Sequence, residues 1–322
     1  MTKAQKQIIL EIDTISKMKT VETFEERWKS YIEINRGPKR RSLSDFSLPN
    51  NRNKETLVII GPGPSITQYA DRLVELKDVA TVCILPTALE WSAELGLYPD
   101  FVVIQDSGIG EVSFFSDEEY PVIGPTTIHP DVVKSRDPYL FTLTMGSGRL
   151  DDPMFGKWNE RSLWIDSDLD GGVLSMGCVT NLAIEIIQLL RNSGVLRAKR
   201  IVLIGQDFAG WRGMARTPRL SDPSPISIES RMEVDWLEWN GYFTDPRMIW
   251  YKWKLLQLWF KTEAPLYSMS HGMLHELPFV FFEQVMGNKW PKHYPKQKAI
   301  EKMFEQYSEL VADTFPREEE DG

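Results

Sequence analysis

The sequence contains little cysteine and no long apolar run. Cys83 and Cys178 are its only two cysteines in 322 residues, which excludes a disulfide-stabilised scaffold and is typical of a reducing compartment. No segment approaches the roughly 20 apolar residues that span a bilayer. The first ten residues also lack the pattern of a signal peptide. We therefore predict a cytoplasmic protein with no membrane partner.

An excess of positive charge is also missing. The chain has 37 Lys and Arg against 46 Asp and Glu, a formal net charge of -9. Sequence-independent binding to nucleic acid needs clustered Lys and Arg that neutralise phosphates, so we predict no nucleic-acid partner. The one basic run, Lys39-Arg40-Arg41, is interpreted as part of a solvated linker; contact with an anionic partner is the alternative.

Short apolar runs alternate with helical patterns from residue 56 onward. Runs of this kind are typical of strands that are covered on both faces, and strand–helix alternation predicts right-handed crossovers between parallel strands. We predict an α/β fold with a mostly parallel, Rossmann-like sheet. The predicted strands are 56–60, 80–85, 101–104, 121–123, 139–143, 162–165 and 200–204, and the predicted helices between them are 65–76, 88–95 and 180–190.

Composition divides the chain into four parts. Residues 1–54 read as a helical N-terminal extension, outside the main core, followed by a linker rich in Gly, Pro and Asn. Residues 55–215 form the predicted α/β nucleotide-binding domain. Residues 216–316 are rich in aromatics and mainly helical, and we expect them to complete the site. Residues 317–322 are an acidic tail.

The motif Gly61-Pro62-Gly63-Pro64-Ser65 directly follows the first buried strand. Its glycines allow close approach of a ligand, and Pro64 suits the first position of a helix. The amides of Ser65 and Ile66 and the Ser65 hydroxyl would then point from a helix N-terminus toward a phosphate. The motif lacks the third glycine of a dinucleotide fingerprint and the Gly-Lys-Ser/Thr of a P-loop, so a mere tight turn is the alternative.

Polar residues follow several of the other predicted strands. Asp106 follows one strand, Thr144 another, and Gly205-Gln206-Asp207 a third. If the strands are parallel, these groups collect at one carboxyl edge, where open α/β sheets bind ligands. Ordinary loop chemistry is the alternative. We predict a shared ligand site at this edge.

Three further segments offer candidate chemistry. Residues 166–171, Asp-Ser-Asp-Leu-Asp-Gly, look like the first half of an EF-hand loop, but the twelfth position is Gly177 instead of Glu, so an acidic surface turn is favoured over a metal site. Arg212 and Arg216 could pair with a carboxylate or phosphate, or lie in a solvated loop. His271 stands beside a glycine in a turn-like stretch and is a candidate general base.

Taken together, these motifs resemble the central domain of the motility accessory factor (Maf) flagellin glycosyltransferases, which is shared with an archaeal hydroxymethyl-dihydropterin pyrophosphokinase. The matching pieces are residues 57–65, Pro99-Asp100-Phe101-Val102-Val103 with Asp106, 127–130 (Thr-Ile-His-Pro) and 201–207, over roughly residues 56–210. Two elements depart from the family: Met176-Gly177-Cys178-Val179 replaces Gly-Gly-Ser-Val, and residues 270–273 (Ser-His-Gly-Met) replace Thr-Glu-Gly-Gly.

The resemblance implies a sialyltransferase-like fold and a glycosyltransferase that uses a CMP-linked nonulosonic acid. The acceptor would be a hydroxyl on a protein or glycan, with His271 or His129 taking its proton. Asp207 would act with Gln206 on sugar or ribose hydroxyls, and Arg212 and Arg216 would face the sugar carboxylate. The implied nucleotide-binding residues are Gly61, Gly63, Pro64, Ser65, Asp106, Thr144, Gly177 and Gln206.

The sequence is also compatible with two other functions. One is diphosphate transfer from ATP to a pterin, with Mg²⁺ as the one candidate cofactor and the carboxylates of Asp106, Asp166, Asp168 or Asp170 as its candidate ligands. The other is a non-catalytic binding module of the same fold, which is favoured by the missing glutamate. In the glycosyltransferase interpretation no residue is assigned to a metal.

Overall fold

The computed structural model describes residues 26–35, 40–105, 119–144, 172–174, 177–210, 237–239, 242–244 and 246–291. Its strands are β1 (Arg41–Ser42), β2 (Thr56–Ile60), β3 (Thr81–Ile84), β4 (Phe101–Val103), β5 (Val122–Pro125), β6 (Tyr139–Thr144), β7 (Gly172–Leu174), β8 (Arg200–Ile204), β9 (Leu237–Trp239), β10 (Tyr242–Thr244) and β11 (Leu266–Ser268).

The helices pack on both sides of these strands. A 3₁₀ helix, Pro64–Glu75, runs directly into the short helix α2. The α-helices are α1 (26–35), α2 (Leu76–Val79), α3 (Pro86–Glu94), α4 (Pro130–Arg136), α5 (Val179–Asn192), α6 (Pro246–Lys261) and α7 (Phe282–Met286). No helix among these described residues is long and apolar enough to cross a membrane.

The main sheet has the order β1-β6-β5-β4-β3-β2-β8-β11, with β7 also paired to β6. Each of these pairings is parallel, which confirms the predicted α/β fold. Strands β9 and β10 form a separate antiparallel pair. The chain steps outward from β2 to β6 in one direction, and then places β8 on the other side of β2. The strand order therefore reverses between β2 and β8, the kind of position at which open α/β sheets bind ligands.

Side chains of the central strands alternate between two hydrophobic cores. Leu57 and Ile59 of β2 pack in the core that also holds the apolar faces of α5 and α6. Val58 and Ile60 pack on the opposite face with the 3₁₀ helix and α3. Because both faces of β2 are covered, its sequence is apolar throughout, as strands of parallel sheets are.

Residues 40–54 belong to the sheet and its core, although their composition predicts a solvated linker. Strand β1 pairs with β6, and Phe46 is buried with its ring 5.5 Å from that of Phe101. Just before this segment, the Asn35 amide donates to the carbonyls of Thr126 and Ile128. A few apolar residues among many polar ones are enough to anchor a segment, which average composition does not reveal.

The segment after α6 contains a strand where the sequence predicts a turn-like stretch. Strand β11 pairs with β8 through Leu266, Tyr267 and Ser268. The next residues, 269–272, then leave the sheet at the same carboxyl edge as the loops after β2 and β8. A run of three residues is too short for sequence periodicity to identify as a strand.

A buried ion pair ties the chain beyond β11 to α6. Lys252 Nζ lies 2.7 Å from Glu276 Oε1, and the two side chains are 2% and 1% exposed. His275 Nε2 is 3.3 Å from the same oxygen. Among the described residues neither Glu276 oxygen receives a directional hydrogen bond, so the contact between Lys252 and Glu276 is chiefly one of charge.

Candidate functional site

Three loops meet at the carboxyl edge where the strand order reverses. They are residues 61–65 after β2, 205–207 after β8 and 269–272 after β11. Backbone hydrogen bonds join them: the Gly63 amide donates to the Gly205 carbonyl (2.7 Å), and the Met273 amide to the Asp207 carbonyl (2.8 Å). The three loops therefore form one connected unit, as the sequence predicts for the first two.

Ser65 and Asp207 link the first two loops by a pair of hydrogen bonds. The Ser65 amide donates to Asp207 Oδ2 (2.7 Å), and the Ser65 hydroxyl donates to Oδ1. Asp207 is 2% exposed, so its carboxylate faces Ser65 and not the solvent. The carboxylate occupies the position at the start of the 3₁₀ helix that the sequence predicts for a phosphate.

The other amides of the first loop are also used inside the protein. Gly61 donates to the Ile204 carbonyl (2.8 Å) and Ile66 to the Gly63 carbonyl (3.3 Å). Pro62 and Pro64 have no N–H to offer. The expectation that the Ser65 and Ile66 amides face a phosphate is therefore wrong for this conformation. Any phosphate bound nearby must find its donors on other elements.

Gly63 and Gly205 are required because the backbones of the loops after β2 and β8 pack directly against each other. A Cβ on Gly63 would lie 2.5 Å from the Gly205 carbonyl oxygen, and Gly205 itself has φ +65° with the Gly61 carbonyl close by. A side chain at either position would push the first two loops apart. The glycines of the two motifs therefore fit each other, a reason for their presence that is independent of any ligand.

Burial raises the pKa of Asp207 from an ordinary 3.8 to about 6, although the two hydrogen bonds from Ser65 favour its charged form. The folded protein thus holds the Asp207 proton more tightly than the unfolded chain does. The stability that Asp207 contributes is complete below about pH 4 and is lost as the pH rises through 6.

We expect Asp207→Asn to stabilise the protein at pH 7.5 by up to about 3 kcal/mol, the equivalent of the pKa shift. The asparagine oxygen can accept from the Ser65 amide, and its NH₂ can donate to the Ser65 hydroxyl, so both partners stay satisfied. Urea denaturation of both proteins between pH 4 and 7.5 measures the difference, which should grow with pH. A difference independent of pH would contradict the assignment.

Gln206 lies between the loop after β8 and the first turn of α5. The Thr180 hydroxyl donates to Gln206 Oε1 at 2.6 Å. Gln206 is 4% exposed, and its Nε2 has no hydrogen-bond partner among the described residues. A buried donor left without an acceptor destabilises a fold, and in a native protein it calls for an explanation such as a bound ligand.

The N-terminus of α5 is weakly capped. Its N-cap, Cys178, makes no capping hydrogen bond, although the thiol lies close enough to the Thr180 and Asn181 amides for them to favour its ionised form. Burial dominates and raises the pKa of Cys178 to about 11. Gly177, with φ +89°, precedes it, and a Cβ there would lie 3.0 Å from the Tyr251 ring. Since a thiol is a weak acceptor, this helix end retains capacity for an anion.

The two histidines predicted as alternative bases lie apart. His271 is exposed and precedes Gly272, which packs on the Asp207 backbone. His129 caps α4, where its Nδ1 accepts from the Asp131 amide, and its ring is 5.2 Å from that of Tyr31. His129 follows β5, four strands away from β8, or about 19 Å at the usual strand spacing. Only His271 lies beside the connected loops.

Several predicted residues fall outside the described part of the chain. They are Asp106, the acidic turn at 166–171, Arg212 and Arg216. Thr144 ends β6, but its side chain is not described. Within the described ranges, no group of three or more His, Cys, Asp or Glu could hold a metal ion.

The structure adds residues that sequence reasoning did not select. The Gln206 backbone amide donates to the Ser270 hydroxyl (2.8 Å), and the Tyr69 hydroxyl donates to the Met269 carbonyl (3.2 Å). With Thr180, these residues hold the loops after β8 and β11 in place. None of these residues belongs to a motif that a sequence reveals, because their role depends on partners that are distant along the chain.

Comparison with known proteins gives a family and a fold. The family model described as "6-hydroxymethylpterin diphosphokinase MptE-like" matches residues 8–212, which include α1. None of the curated proteins matches the sequence.

Among solved structures, a Maf glycosyltransferase from Magnetospirillum magneticum AMB-1 is similar, with a TM-score of 0.51 and 16% identity. The match covers 91% of this chain and 44% of that protein, so this chain spans less than half of the larger molecule. At this identity the likeness establishes a shared glycosyltransferase-like fold.

Proposed function

The chain belongs to the 6-hydroxymethylpterin diphosphokinase MptE-like family, and on that premise we propose that it is a transferase that binds the phosphates of a nucleotide donor. The proposed phosphate site lies between Gln206 and the N-terminus of α5, beside the reversal of strand order. The preferred reaction is glycosyl transfer from a CMP-linked nonulosonic, sialic-acid-like sugar to a hydroxyl on a protein or glycan.

The buried Nε2 of Gln206 is the observation that carries the proposal. Among the described residues this donor has no acceptor, and the bond from Thr180 to Oε1 of the same side chain holds Gln206 against α5. Phosphate oxygens are strong acceptors, and a hydrogen bond to a charged group is worth about 1.5–3 kcal/mol. The end of a 14-residue helix adds partial positive charge at the same place.

Glycosyl transfer needs one base and a good leaving group. The acceptor hydroxyl oxygen attacks the anomeric carbon of the donor, the bond from that carbon to the phosphate oxygen breaks, and CMP leaves with the bond electrons. His271, exposed beside the connected loops, would take the hydroxyl proton. Arg212 and Arg216 remain candidates for the sugar carboxylate. The Asp207 carboxylate, engaged by Ser65, would hold the loops and not the sugar.

Diphosphate transfer to a pterin is the second candidate, and the family match favours it. The pterin hydroxymethyl oxygen would attack the β-phosphorus of ATP and lose its proton to solvent, the bond to the α–β bridging oxygen would break, and AMP would leave with the electrons of that bond. The same phosphate site would serve. No group of described residues fits Mg²⁺, and its candidate ligands Asp106, Asp166, Asp168 and Asp170 lie outside the described part of the chain.

Binding of CMP and of pyrophosphate to Gln206→Met tests the phosphate site. We expect affinity for both to fall at least tenfold, because the variant loses the donor to the phosphate. Thr180→Val is the matched control, since it removes the Gln206–Thr180 bond but keeps Nε2, and it should bind much more like wild type. Calorimetric titration measures both. Equal affinities in wild type and Gln206→Met would overturn the proposal.

Product analysis separates the reactions. CMP release from a CMP-linked nonulosonic acid supports glycosyl transfer, whereas AMP formed from ATP with 6-hydroxymethylpterin and Mg²⁺ supports diphosphate transfer. Binding without either product would favour the non-catalytic module.

A further inference from the structure

We propose that a row of three aromatic rings, His271, Phe279 and Phe281 (the aromatic row), is a stacking platform for a planar heteroaromatic ring of the ligand. This inference rests on the proposed function, because the ligand is the one whose phosphates lie at Gln206. It adds a binding surface on the C-terminal side of β11, beyond the part of the chain that the family model matches.

The backbone brings the aromatic row to the ligand edge of the sheet. Residues 278–280 run beside β11: the Ser268 amide donates to the Pro278 carbonyl (3.0 Å), and the Val280 amide to the Ser268 carbonyl (2.9 Å). The bridge between Ser268 and Phe279 is parallel. Phe281, the next residue in this direction, therefore lies at the carboxyl edge, as the loops after β8 and β11 do.

Alternation along this extended segment turns the aromatic rings toward the α5 side. Val280 is buried in the core of the opposite face, with Tyr267 and Phe282. Phe281 is extended, with φ -85° and ψ 155°, so Phe279 and Phe281 project away from Val280. That is the face on which α5, and thus the proposed phosphate site, lies.

His271 contacts Phe279, Phe279 contacts Phe281, and Phe281 is open to solvent. The centroids of His271 and Phe279 are 5.1 Å apart, and those of Phe279 and Phe281 are 5.2 Å apart and nearly perpendicular, at 79°. Phe281 is 60% exposed, the highest value among the large hydrophobic residues described. The contact with Phe279 leaves most of the Phe281 ring open, and a planar ligand ring could bury that exposed surface by stacking.

Spacing along the sheet edge fits a nucleotide. Strand β11 lies beside β8, and residues 278–280 lie on the other side of β11. Phe281 is therefore two strand spacings, about 10 Å, from the loop that carries Gln206. A ribose separates a base from its phosphate by a comparable length. Two ligands offer the required ring, the base of the nucleotide and the pterin, and both present a flat π face.

Phe281→Ala in the full chain tests the platform. The change keeps the backbone amide that donates to Gln284 Oε1 (2.9 Å) at the start of α7, so the fold should persist. Binding is measured by calorimetry with CMP, 6-hydroxymethylpterin and pyrophosphate. We expect the affinity for the ring-bearing ligand to fall about tenfold and that for pyrophosphate to stay within twofold. The ligand whose affinity falls, CMP or 6-hydroxymethylpterin, is the one whose ring stacks on Phe281.

Two further variants sharpen the result. Phe281→Tyr keeps an aromatic ring and should bind the ring-bearing ligand as tightly as wild type. Leu189→Ala removes another exposed apolar side chain and should leave the affinity for all three ligands unchanged. Wild-type affinity for both ring-bearing ligands in Phe281→Ala would overturn the platform. Binding of pyrophosphate with no binding of either ring would also overturn it, and would leave the phosphate site standing. If wild type binds none of the three ligands, the proposed function fails and the platform with it.

Discussion

Lys252→Met is expected to lower the free energy of unfolding by about 3–5 kcal/mol, the usual effect of removing one partner of a buried ion pair. The Glu276 carboxylate, 1% exposed, would lose the cation 2.7 Å from it. Urea denaturation at pH 8, where an imidazole is normally neutral, limits compensation by the neighbouring His275.

The double variant Lys252→Met/Glu276→Leu is the matched control. It removes both charges together, and buried pairs replaced by apolar residues of similar size are often neutral or more stable. We expect it to recover most of the lost stability, since neither Glu276 oxygen has a directional hydrogen bond among the described residues. Single and double variants of equal stability would show that Lys252 does not compensate Glu276.

Gly272→Ala is expected to cost about 3 kcal/mol, the upper range for an overpacked site. Its Cβ would lie 2.1 Å from the Asp207 carbonyl oxygen and 2.3 Å from the Asp207 Cα. These are backbone atoms, held by the Met273 amide and by the side-chain bonds to Ser65. The loops after β8 and β11 must separate, so CMP binding should also weaken.

Gly194→Ala provides the comparison for that effect. Gly194 has φ +76°, and no atom of the described residues lies within 4 Å of its would-be Cβ, so the substitution adds backbone strain of about 1 kcal/mol but no collision with them. The free energies of unfolding of the two variants, measured by urea denaturation, separate the effect of backbone strain from that of steric overlap. Equal losses of stability would contradict the close approach at Gly272.

The sequence predicted the buried strands well because burial on both faces leaves a wholly apolar run. β2 and β8 have the predicted bounds, 56–60 and 200–204. It could not predict that these two strands are neighbours, since an apolar run carries no record of its partner. β1 and β11, with two and three residues, were not predicted because pairing, not periodicity, defines them.

The site was predicted in part for a similar reason. The motifs at 61–65 and 205–207 were expected to share one edge of the sheet, and they do. The sequence could not reveal that Asp207 satisfies the donors of Ser65, because that bond joins residues 142 positions apart. Nor could it indicate that the Gln206 Nε2 would have no partner among the described residues, since this follows from where Thr180 lies.

The pairing of β8 with β11 also affects the order of events during synthesis. β8 is complete at residue 204, whereas its partner begins at residue 266. A ribosome adding 5–20 residues per second needs about 3–12 s to make the intervening stretch. During that time β8, with its apolar residues from Ile201 to Ile204, has one edge without its final partner, and such edges can pair with other chains. Molecules that stop before β11 would keep that edge, so we expect incomplete chains to aggregate where the finished protein does not.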